Sequence, residues 1–191
     1  LGPDVIELLL PHRAPILLVS RVDVFHPGEK PSIEASHFVS ANEDVFRGHF
    51  PGFHVWPGVY TQEGLGQASQ MLSQVAGLYQ GWADAGEDPE DALDALRNLE
   101  LGFQLHPGYS KDRAALLIEN IPKVRQHIGM AAAVDLKFVA PVFGGCRLDY
   151  RSTMVFSHDQ MIRYEVEASV AGKVVVSGTI TSSHRHAFPG Q

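Results

Sequence analysis

One histidine and one carboxylate are spaced so that acid–base chemistry is possible. His49 lies in Gly48-His49-Phe50-Pro51-Gly52, where glycines and a proline fix the backbone around one imidazole. Imidazole titrates near neutrality and suits proton uptake. Glu63 is the only charged residue between His49 and Asp84. It falls in the first turns of an otherwise uncharged helical stretch. A helix N-terminus favours a carboxylate, but in an apolar surround the group must be paired or partly protonated. A raised pKa would let it donate a proton near neutral pH. On these grounds alone, a hydrogen-bonded loop histidine and an ordinary helix-start carboxylate explain the two residues equally well.

The remaining candidates carry less. His12 sits in Pro11-His12-Arg13 and is expected to be structural, as most polar residues in a fold are simply hydrogen-bonded. His184 and His186 lack acidic or cysteine neighbours that would make a metal site, and no metal is expected. Cys146 is the only cysteine, which rules out an internal disulfide and favours a reducing, cytoplasmic setting. It has no nucleophile context and is expected to be a small core or turn residue.

The elements that must hold His49 and Glu63 follow from pattern. PDVIELLL (3–10) predicts a short helix with Pro3 in its first turn, ended by Pro11. ILLVSRVDVF (16–25) and SIEASHFVS (32–40) predict strands, with a turn at 26–29 between them. NEDVFRGHFPGFHVWP (42–57) is a loop of fixed shape. A helix is predicted from Pro57 to about Tyr79. Its apolar residues occupy more than one face, and Gly64, Gly66 and Gly77 each cost it about 1 kcal/mol against alanine. Such a helix fits inside a curved sheet. Residues 81–98 form an acidic connector with a helix at Pro89–Asn98, and 99–129 are ambiguous between helix and strand. AAAVDLKFVAPV, RLDYRSTMVF, MIRYEVEASV and VVVSGTITSS predict strands joined by tight turns, the last three forming an antiparallel meander, before a frayed tail at 184–191. The fold class is α+β.

The chain of 191 residues, 45% hydrophobic, fits one well-filled core and not two. A net charge of −7 argues against a nucleic-acid partner. Local basic residues at Lys123/Arg125 and Arg147/Arg151 are expected to be solvated faces and not docking sites. Gly64–Ala83 is uncharged but holds Gln67, Ser69, Gln70, Ser73, Gln74 and Gln80, too polar for a membrane span. No secretory signal is visible. Leu1 is not an initiator methionine, which leaves room for a removed segment.

LPHRAPILLVSRV followed by NEDVFRGHFPGFHVWPGVYTQEGLGQA resembles the 3-hydroxyacyl-[acyl-carrier-protein] dehydratases of the FabZ/FabA type. That family carries Pro-His-Arg, then Gly-His-Phe-Pro-Gly, then Pro-Gly-Val and an acidic residue that begins the central helix. His49 and Glu63 are 14 positions apart, which is the family spacing, with Pro57-Gly58-Val59 between them. LKFVAPVFGG looks like a further family segment. The likeness covers roughly 5–79 and, more loosely, 130–183.

The resemblance implies a single hot-dog domain over 1–191, its sheet wrapped around the long helix, with an inserted segment at about 80–125. It implies a homodimer or higher oligomer in which His49 of one subunit meets Glu63 of its partner. The implied activity is that of a 3-hydroxyacyl-[acyl-carrier-protein] dehydratase in fatty-acid or polyketide-like synthesis. The acyl chain would be carried on a phosphopantetheine arm of acyl carrier protein or coenzyme A, with no cofactor. The implied roles are His49 as base, Glu63 as acid and the Gly58 N–H as the carbonyl's partner. Phe50, Pro51, Phe53, Trp56, Val59 and Gln67 would line the tunnel. Glutamate in place of aspartate goes with dehydration without double-bond isomerisation.

Departures from the pattern are Ala14, Ile16 and Ser20 in the N-terminal block, Phe53-His54 after the histidine motif, Trp56, and the insertion. A long insertion is usually functional or partner-binding. Asp44, five positions before His49, resembles the spacing of enoyl-thioester hydratases. That hot-dog activity, a thioesterase and a non-catalytic acyl-binding subunit are the alternatives.

Overall fold

The computed structural model describes residues 1–105, 129–158 and 160–183. Helix α1 (Pro3–Leu9) precedes strands β1 (Arg21–His26) and β2 (Ser32–Val39). A single 3-10 turn (Asp44–Arg47) lies in the histidine loop. Helix α2 (Gly58–Asp84) and helix α3 (Pro89–Leu105) follow, then strands β3 (Met130–Phe138), β4 (Cys146–His158), β5 (Met161–Val170) and β6 (Lys173–Ser183). The strands form one antiparallel sheet in the order β1-β2-β4-β5-β6-β3. The sheet packs on α2 through β2, β4, β5 and β3.

The apolar stripe of α2 explains this packing. Leu65, Ala68, Leu72 and Val75 recur at helical spacing and are buried with Ile33, Tyr150, Tyr164 and Val166 of the sheet. Each fully buried leucine contributes about 1.5–3 kcal/mol. Gly64 is required by this contact: a Cβ there would fall 2.2 Å from the Tyr150 hydroxyl. The predicted helix ends too early, because residues 80–84 continue to pack as helix.

The first predicted strand starts too early. Leu17 closes a turn onto the Arg13 carbonyl. The Leu18 N–H donates to Gln67 Oε1 at 2.8 Å, and the Ile16 carbonyl accepts from Gln67 Nε2 at 2.7 Å. A side chain of α2 therefore takes the backbone groups that a strand partner would need, and β1 begins at Arg21.

The third predicted helix is longer than its pattern suggested, and LELGFQL (99–105) is helical. Ala92, Leu93, Leu96 and Leu99 of α3 are buried, and α3 packs on α1 and α2. Buried Glu100 accepts from the Val5 N–H at 3.4 Å and from Gln104 Nε2 at 2.9 Å. This part of the insertion belongs to the core. The rest of the ambiguous stretch (106–128), which includes Lys123/Arg125, and the tail holding His184 and His186 lie outside the described residues. Arg147 and Arg151 are exposed and ion-paired, Arg147 with Asp23 and Asp149 and Arg151 with Glu34, as a solvated charged face should be. No helix among the described residues is long and apolar enough to cross a membrane.

Candidate active site

The histidine loop is built like a small module. The His49 N–H donates to the Val45 carbonyl at 3.0 Å, and Phe50 and Phe53 exchange backbone hydrogen bonds. Phe46 stacks on His54 and leans against Trp56. The Trp56 N–H donates to the Val142 carbonyl at 2.8 Å and that of Gly144 to the His54 carbonyl at 3.2 Å, tying the loop to the β3–β4 connection.

Within this frame, half-buried His49 places Nδ1 2.8 Å from the Val55 carbonyl oxygen. A carbonyl can only accept, so in the neutral ring Nδ1 carries the hydrogen. The lone pair is then on Nε2. His49 lines a cavity of about 340 Å³ with Val55, Trp56, Gly58, Thr61 and the Phe138–Val142 segment. Gly58 is the first residue of α2, where backbone N–H groups lack helical partners. A Cβ at Gly58 would come within 2.9 Å of the Phe138 ring, so glycine allows that ring to close over the helix start.

Glu63 points elsewhere. Five residues along α2 turn a side chain by about 140° relative to Gly58 and advance it about 7.5 Å. Glu63 lines a second cavity, of about 150 Å³, which shares no lining residue with the first. Its Oε1 accepts from Gln67 Nε2 at 2.8 Å, and His12 Nε2 lies 3.4 Å from the same oxygen. One chain therefore does not bring His49 and Glu63 into one cavity.

Among the expected tunnel residues, Trp56 lines the His49 cavity and Gln67 the Glu63 cavity. Phe50, Pro51, Phe53 and Val59 stand exposed on the surface of the chain. His12, expected to be structural, touches Glu63. Its motif marked the residue, but only the fold brings the two together. Asp44 is exposed and pairs with Arg47 at 3.3 Å, away from either cavity. Burial pushes the Cys146 thiol up, which disfavours a thiolate. Among the described residues, no three His, Cys, Asp or Glu side chains converge on a metal-sized site.

Residues 10–108 match the FabA-like domain family. The 3-hydroxyacyl-[acyl-carrier-protein] dehydratase FabZ of Levilactobacillus brevis is 35% identical over 146 residues, covering 70% of this chain and 89% of that protein. The enzyme of the same name from Teredinibacter turnerae is 29% identical over 185 residues, covering 95% of this chain and 97% of its own. In fold, the chain is similar to the dehydratase heterocomplex ApeI:P from Xenorhabdus doucetiae, with a TM-score of 0.55 at 17% identity, covering 94% of this chain and 90% of that one. With a family match over more than half its length and a relative covered almost end to end, this chain belongs to the FabA-like family and has its hot-dog fold.

Proposed function

We propose that the protein eliminates water from a 3-hydroxyacyl thioester to give the trans-2-enoyl thioester, with His49 as base and Glu63 of a second subunit as acid. The observation that carries this reading is the His49 Nδ1 contact with the Val55 carbonyl, which in the neutral ring puts the lone pair on Nε2 of a residue that lines one cavity with Gly58.

The thioester carbonyl acidifies the hydrogen on C2, and His49 Nε2 removes it. The C–H electron pair moves into the C1–C2 bond, and charge gathers on the carbonyl oxygen. The Gly58 N–H stabilises that oxygen; a donor of this kind contributes about 3 kcal/mol. The enolate then re-forms the carbonyl, the C2–C3 double bond closes, and the C3–O bond breaks. Glu63 gives its proton to the departing oxygen, and water leaves. A proton passed from the His49 imidazolium to the Glu63 carboxylate resets the site.

Two features support a site shared between copies. His49 and Glu63 occupy separate cavities of one chain. Strand β3 pairs only with β6 among the described strands, and it presents Met130, Val134 and Phe138 to solvent. An open apolar edge is a template for a second strand, and a two-fold pair through β3 is self-complementary. The acyl group is carried by a phosphopantetheine arm, on acyl carrier protein or coenzyme A.

The direct test supplies purified protein with 3-hydroxyacyl thioesters and follows the enoyl product. Water loss with the thioester intact is expected; release of free thiol without enoyl product would refute the proposal. Gln67 is a positioning residue for the acid. Gln67→Leu is expected to lower kcat by up to about tenfold with little change in KM, because the hydrogen bond that orients the neutral carboxyl group contributes about 0.5–1.5 kcal/mol. Steady-state kinetics over a substrate series check this. A rise in KM alone would mean that Gln67 only lines the tunnel.

A further inference from the structure

The cavity behind Glu63 sets several polar side chains in a lining that is otherwise apolar. Gly66, Gln67 and Gln70 follow Glu63 on one stripe of α2, facing Tyr164 of β5 and Ser182 of β6 across the cavity. The Tyr164 hydroxyl lies 2.5 Å from Ser73 Oγ and accepts from Ser182 Oγ at 3.4 Å. Gln70 Oε1 accepts from the Gly129 N–H at 2.9 Å. Tyr164 is 1% exposed, so its hydroxyl belongs to the interior and not to a wet rim.

Gln67 serves the acid and the Tyr164 ring serves the core; the Gln70 amide and the Tyr164 and Ser182 hydroxyls have no part in either. A saturated tail would press methylenes against hydroxyl and amide groups and offer them no hydrogen bond, whereas a tail oxygen would. Hydroxyls rotate, and each can both donate and accept, so the network can take in one more oxygen without leaving a member unpaired. Resting on the dehydratase reading above, we propose that the site selects 3-hydroxyacyl thioesters whose tail carries an oxygen function, a hydroxyl or carbonyl, at the depth of Gln70 and Tyr164. Gln70 lies about 10 Å beyond Glu63 along α2. An extended chain advances about 1.2 Å per bond, which puts the tail oxygen roughly eight bonds past C3.

The network groups already bond one another, so discrimination is smaller than in a site that leaves its polar groups orphaned, about tenfold. The test uses pantetheine thioesters of matched length, one ending in methyl and one in a hydroxyl, over a range of lengths. For the wild-type protein, kcat/KM is expected to favour the hydroxyl-ended substrate about tenfold at the best length, with the ratio falling towards one in Tyr164→Phe and in Gln70→Leu. A second arm measures binding of the corresponding unreactive amides to His49→Ala by calorimetry, where the same ratio in Kd is expected. Equal or better handling of the methyl-ended series in both arms would overturn the proposal. A binding preference without dehydration of either series would sustain it and count against the dehydratase reading.

Discussion

His49→Ala and Glu63→Gln are each expected to lower turnover by at least about a hundredfold, the low end of what a positioned acid or base supplies. In the proposed mechanism, His49→Ala removes the Nε2 lone pair that takes the C2 proton. The change is confined to a half-buried ring whose structural contact is one hydrogen bond to Val55 and a stack on Phe50. Glu63→Gln preserves shape and keeps an oxygen able to accept from Gln67, but it has no acidic proton to give. Both proteins should keep the wild-type circular dichroism spectrum and oligomeric state. Either variant retaining more than about a tenth of wild-type turnover would contradict the assigned roles.

Gly178→Ala is expected to lose at least about 3 kcal/mol of stability, the upper range of an overpacking change. A Cβ at Gly178 would fall 2.0 Å from the Asp135 carbonyl oxygen and 3.0 Å from Leu136 Cα. Both are backbone atoms of β3, where Leu136 pairs with Gly178 and Asp135 with Thr179, so no side chain can swing aside. Strand β3 must move, and with it the Phe138 ring over Gly58 and the open edge offered to a second copy. Loss of dimer and of activity should therefore accompany the loss of stability. At about 2–4 °C per kcal/mol for a chain of this size, the melting temperature should drop by at least about 6 °C. Gly77→Ala is the control: a Cβ there meets nothing within 4 Å, so stability should hold or rise by up to about 1 kcal/mol. Comparable melting curves for the two variants would mean that the β3–β6 approach is not a tight constraint.

Much of this arrangement is legible in the sequence where the determinants are local. The apolar spacing of Leu65, Ala68, Leu72 and Val75, the alternation in β4 to β6 and the turn at Ala171-Gly172 read directly as helix, strands and hairpin. His49 and Glu63 stand out because a fixed-shape loop and an uncharged helix isolate them. What escaped was long-range. The capture of the Ile16 and Leu18 backbone by Gln67, 51 and 49 positions away, depends on the packing of the N-terminal block against α2, and it shortens β1. The contact of His12 with Glu63 has the same origin. Residues 99–105 were ambiguous because only the burial of Leu99 and Glu100 against the rest of the fold favours helix over strand there.

The central claim is that each site takes its base from one copy and its acid from another. It is tested most directly by mixing inactive His49→Ala with inactive Glu63→Gln under conditions that exchange subunits. Random pairing makes about half the dimers mixed, and each mixed dimer holds one intact His49–Glu63 pair. Activity should rise to about a quarter of the wild-type value. If verified mixed dimers stay as inactive as their parents, the two residues do not meet across the interface.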